Sequence, residues 1–149
     1  HFNALPQNGG YACFNINPIP GIPYNKGMEL AEFIKAYPLD VSALFEKARS
    51  TLLDRFNALC EEPDIPSRIV VYRISPGNSG IVFTLIPSQR GLKLGIYRGR
   101  ELPDPSGLLQ GSGKVHATIQ LSENLLNDHA LLDLLDSAIQ KAQIRATRS

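Results

Sequence analysis

The sequence predicts an α+β fold: two N-terminal helices, an antiparallel sheet of about four strands, and a C-terminal helix packed on the sheet. Three observations predict it. Apolar residues recur at helical spacing from Val41 to Leu59 and again from Leu131 to Ala142. Between those stretches, short runs alternate apolar and polar residues, the period of a half-buried strand. The connections between these runs are short and rich in Gly, Pro, Asn and Ser, which favours antiparallel neighbours.

Taken in order, residues 1–27 form an arm and residues 28–149 the domain. The arm is rich in Asn, Gly and Pro and almost free of charge. It lacks the basic start and continuous apolar centre of a signal peptide. Pro18, Pro20 and Pro23 block helix. Tyr11, Phe14, Ile16, Ile19, Ile22 and Tyr24 are then available to lie extended against this domain or a second copy. Met28 to Tyr37 reads as a short helix ended by Pro38. Asp40 is the expected cap of the next helix, which runs to about Cys60. Val41, Leu44, Phe45, Ala48, Leu52, Phe56 and Leu59 are its buried face. Glu46, Lys47, Arg49, Asp54 and Arg55 are its wet side, and Pro63 and Pro66 form the link that follows.

Arg68 to Ser75 reads as a strand, and Pro76 to Gly80 as a hairpin connection. Ile81 to Ile86 returns, and Leu92 to Tyr97 follows a turn at Pro87 to Gly91. Val115 to Leu121 is the last of the expected strands. The final helix starts after Asn127-Asp128, with Asp128 as cap, and reaches about Arg145. Acids in its first half and bases near its end oppose the helix dipole.

Charge and length exclude some classes of function. The net charge of +1 gives no reason to expect nucleic acid or an acidic membrane as partner. No apolar run of about 18 residues is present, so no membrane-spanning helix is expected. Cys13 and Cys60 lack any metal-binding or redox spacing, which favours a reduced, cytoplasmic chain over a disulfide.

The densest stretch is Gly95 to His116. Pro103-Asp104-Pro105 allows neither helix nor central strand, and Asp104 favours a turn by bonding its own downstream backbone. Leu102, Leu108 and Leu109 are apolar inside this loop, so it is expected to fold back on the core. Gly111-Ser112-Gly113-Lys114 offers backbone N–H groups, a hydroxyl and an ammonium together. That is either an anion-binding nest or a glycine turn with a solvated lysine. It is not a P-loop, because the first glycine is missing and a strand follows. His116 reads as a wet-face residue or as part of a small pocket with Tyr97 and Lys114. No nucleophile, acid or base stands at a recognisable catalytic spacing. His129, Asp133 and Asp136 share one side of the last helix, with ligand types suited to iron or zinc. Helix-dipole placement of the two acids explains them equally well. Arg90, Lys93, Arg98 and Arg100 form a basic cluster that reads as a solvated sheet face.

Leu94-Gly95, Gly99, Glu101-Leu102, Asp104-Pro105, Gly107-Leu108-Leu109, Gly111, Gly113 and Lys114 together resemble the YdhG-like family of bacterial domains of unknown function. The resemblance implies a small antiparallel α+β domain similar to frataxin, and some relatives are regarded as intracellular iron chaperones. Family members often carry an Arg-His pair where Ala117-Thr118 stand here. The resulting expectation is a non-enzymatic module for a small ligand or iron. Tyr97, Arg98, Asp104, Gly111, Ser112, Gly113, Lys114 and His116 are its candidate seat. The alternative is a homo-oligomeric adaptor, a homodimer held through the N-terminal arm.

Overall fold

The structure, a computed structural model, describes residues 26–111, 113 and 115–148. Most of the arm, and Ser112 and Lys114 of the candidate nest, lie outside the described residues. The elements run α1 (Lys26–Ile34), α2 (Leu39–Arg55), β1 (Cys60–Asp64), β2 (Ile69–Arg73), β3 (Ile81–Ser88), β4 (Gly91–Tyr97), β5 (His116–Gln120) and α3 (His129–Arg148). The sheet has five strands in the order β1-β2-β3-β4-β5, each antiparallel to its neighbour. The α+β class, the antiparallel meander and the C-terminal helix stand as the sequence predicts.

Three expectations need correction. First, the sheet has a fifth strand, β1, in what reads as a proline-rich link. Helix α2 ends at Arg55 rather than near Cys60, because Phe56 turns to extended backbone, φ −129° and ψ 100°. The chain is then free to pair Glu61 with Tyr72 and Pro63 with Val70 at the sheet edge, where a proline is tolerated. Second, α2 begins at Leu39 behind Pro38, so Asp40 is not its cap but a first-turn acid that suits the helix dipole. Third, Arg49 does not belong to the wet side. It reaches Glu61, which is 1% exposed.

The face of the sheet that carries Tyr72, Phe83, Leu85, Leu92, Leu94, Ile96, Ala117 and Ile119 joins the buried residues of the helices in one core. Helix α2 contributes Phe45, Ala48 and Leu52, and α3 contributes Leu131, Leu135 and Ala138. Each large side chain buried there stabilises the fold by about 1.5–3 kcal/mol. Between β2 and β3 the register slips at Tyr72/Arg73, and β3 absorbs one extra residue there. Asp128 caps α3, its Oδ1 accepting the Ala130 N–H at 2.8 Å.

Candidate functional site

The register of β4 and β5 sets Tyr97 opposite His116, with ring centroids 5.6 Å apart in an edge contact. The Arg145 guanidinium lies over the Tyr97 ring, 5.1 Å from its centroid. It is positioned from α3 by donating to the carbonyls of Ser79 at 3.4 Å and Ile81 at 3.1 Å. Burial holds the Arg145 pKa below its ordinary value, and the neighbouring Arg98 adds to that. Arg98 turns the chain out of β4 in a left-handed conformation, φ +56°. Its N–H donates to Val115, and its Nε donates to Glu101 at 2.6 Å.

The loop that follows is pinned to the core. Leu102 and Leu109 are buried. The two carboxylate oxygens of Asp104 accept the N–H groups of Leu108 and Leu109, each at 2.9 Å. That is the turn role its sequence position suggests. Gln110 then exchanges both backbone bonds with Thr118, at 2.7 and 3.1 Å, on the outer edge of β5. Gly111 sits at φ +89°, and a Cβ on Gly113 would stand 2.9 Å from the His116 carbonyl oxygen. Glycine is needed at both.

Between this loop and α3 lies a cleft of about 420 Å³, lined by Pro103, Asp104, Pro105, Ser106, Ala130, Asp133, Leu134 and Ser137. Its floor is apolar at Leu134, and its polar groups are two carboxylates and two hydroxyls. The prolines make one wall stiff.

The candidate residues therefore divide. Tyr97, Arg98 and His116 gather where β4 ends and β5 begins, with Gly113 beside His116, while Gly111 lies by Thr118 further along β5. Asp104 belongs instead to the cleft, together with Asp133. His129, Asp133 and Asp136 are not assembled as a chelate. The Asp136 carboxylate is engaged by Arg55 in two contacts of 2.8 Å, which hold the Arg55 pKa above its ordinary value. Among the described residues, no three His, Cys, Asp or Glu side chains come together where they could hold a metal ion. The basic cluster is dispersed too. Lys93 is exposed on β4, Arg98 and Arg100 occupy the turn after it, and Arg90 sits in the β3–β4 hairpin.

Sequence reasoning missed Arg145, Ser106 and Ser137. Arg145 reads as a dipole complement, and nothing local ties it to Tyr97, 48 positions away by their numbers. Ser137 carries a usable signal. It stands one helical turn after Asp133, so the two share a face.

Neither a family model, nor a curated protein, nor a solved structure matches this chain. Among the described residues, no helix is long and apolar enough to cross a membrane.

Proposed function

We propose that the chain is a non-enzymatic module that holds a small ligand, with loop 99–114 as the rim of its seat. The resemblance to the YdhG-like family agrees with this reading. The observation that carries it is the cleft between the Pro103–Ser106 wall and α3, whose wall is pinned by Asp104. A stiff, preformed cavity with an apolar floor and a few convergent polar groups is the general form of a small-molecule site. Its polar groups are Asp104, Asp133, Ser106 and Ser137, and its lining has no cation. That chemistry favours a ligand with a primary amine or several hydroxyls on a small apolar body. Iron is the cargo the family resemblance suggests, and it belongs in the same test.

The test is a thermal-unfolding titration of the full chain with alkyl monoamines and diamines, small polyols, ferrous ion and inorganic phosphate. A ligand that binds the native state must raise the midpoint, by about 2.7 kcal/mol of stability at a hundredfold excess over Kd. Amines or polyols are expected to raise it in the parent, and less in Asp133→Asn and Ser137→Leu. A response to ferrous ion alone moves the reading to metal storage. No response to any of them at millimolar concentration overturns it.

A further inference from the structure

We infer that the cleft between α2 and the β3–β4 hairpin is a second seat, for a small anion with an apolar body. This cleft of about 500 Å³ lies apart from the loop 99–114 cleft, and the two share no lining residue. Its floor includes Val41 and Leu121, which are 3% and 5% exposed. Its rim carries two cations, Lys47 from α2 and Arg90 from the hairpin, and two carboxylates, Asp40 from the first turn of α2 and Glu123.

Arg90 is held in place by its neighbours. Ser88 Oγ accepts the Arg90 N–H at 3.2 Å and donates to the Gly91 carbonyl at 3.3 Å. Gln89 Nε2 donates to the Ala36 carbonyl at 3.0 Å, tying the hairpin tip to the turn that follows α1. The Gln120 amide closes over Gly91, where a Cβ would come within 2.6 Å of Nε2, and donates to the Leu92 carbonyl at 3.3 Å. Among the described residues, no carboxylate forms an ion pair with Arg90. Its guanidinium is therefore a presented cation on a fixed backbone.

Lys47 is paired with Glu123, and both side chains are at least half exposed. An exposed pair of this kind is weak and readily exchanged. An incoming carboxylate or phosphate ester takes Lys47 from Glu123 and reaches Arg90, while its alkyl part covers Val41, Leu44 and Leu121. Glu123 is then a competing anion built into the rim. Removing its charge strengthens binding, and removing either cation weakens it. Arginine suits both carboxylate and phosphate oxygens, so the source of the anion is for experiment to decide.

The experiment is calorimetric titration of the full chain with hexanoate, hexyl phosphate, inorganic phosphate and hexanol. Hexanoate or hexyl phosphate is expected to bind, and whichever binds tighter identifies the head group. Arg90→Ala should weaken it at least tenfold, and Lys47→Met several-fold. Glu123→Gln should tighten it about threefold, a direction that no folding defect produces. Equal binding of hexanol, binding of inorganic phosphate alone, or a Glu123→Gln variant no tighter than the parent overturns the proposal.

Discussion

Arg49 lays its guanidinium along the Glu61 carboxylate, Nε to Oε2 at 2.7 Å and Nη2 to Oε1 at 2.8 Å, and so joins α2 to the edge strand β1. Tyr72 completes the arrangement by donating to the same Oε2 at 2.7 Å. Glu46 holds the far side of the guanidinium at 2.7 Å. A carboxylate taken out of water this completely is costly, and each contact offsets part of that cost. Arg49→Ala leaves Glu61 buried without its guanidinium and is expected to lower stability by about 3 kcal/mol in urea unfolding. Arg49→Met combined with Glu61→Leu is expected to lose much less, because no charge is left behind. Equal losses in the two variants would contradict this account.

The same cluster makes stability sensitive to alkali. Burial above all, and then the Glu61 charge, hold the Tyr72 pKa well above its ordinary value, so the folded phenol stays neutral. An unfolded tyrosine ionises near pH 10. Tyr72 therefore leaves stability unaffected below that pH. As pH rises past it, the unfolded chain loses a proton that the folded chain keeps, and stability falls. The loss is about 1 kcal/mol between pH 10 and 11 and approaches 1.4 kcal/mol for each further unit. Tyr72→Phe should start less stable by about 1 kcal/mol but fall less steeply over that interval. Denaturant midpoints at pH 9, 10 and 11 compare the slopes, and parallel curves would refute the assignment.

Gly80 decides how β2 hands over to β3. A Cβ there would stand 2.0 Å from the Ser75 carbonyl oxygen and 2.6 Å from its carbon, both backbone atoms. Backbone cannot rotate aside as a side chain can. The Gly80 carbonyl also accepts the Ile74 N–H at 2.8 Å. Gly80→Ala is expected to cost about 2 kcal/mol by forcing the connection outward. Hydrogen exchange at the Ile74 amide should accelerate with it.

What the sequence makes legible is whatever depends on period and local turn chemistry. β2 and β5 alternate, β3 and β4 are apolar runs buried on much of both faces, α3 keeps its apolar stripe, and Asp128 caps it as its type suggests. β1 is hidden because Cys60-Glu61-Glu62-Pro63-Asp64 has the composition of a solvated link. It becomes a strand because Arg49 and Tyr72 answer Glu61, and those partners lie 12 and 11 positions away. The same long-range pairing explains the site. Asp104 is a readable turn residue, whereas the contact of Asp136 with Arg55 spans 81 positions and leaves no local trace. Tyr97 and His116 meet because a meander with this register makes them opposite, which alternation alone suggests but does not fix.

Asp104 links the stability of the loop to the proposed ligand seat. Its carboxylate is the acceptor for two consecutive backbone donors, Leu108 and Leu109. Bonds to a charged acceptor are stronger than neutral ones. Asp104→Ala removes both and is expected to cost roughly 2 kcal/mol. Asp104→Asn keeps one acceptor oxygen but turns an NH₂ toward the other donor, so it should recover only part of the loss. Exchange at the Leu108 and Leu109 amides should rise in both variants, more in the alanine one. Loss of the pin lets the Pro103–Ser106 wall move away from α3, so amine binding in that cleft should weaken with it. Hexanoate binding beside Arg90 should be unaffected, because that cleft shares no lining residue with the loop. A variant that lost both ligands alike would report general unfolding. One that kept the amine would separate the turn from the site.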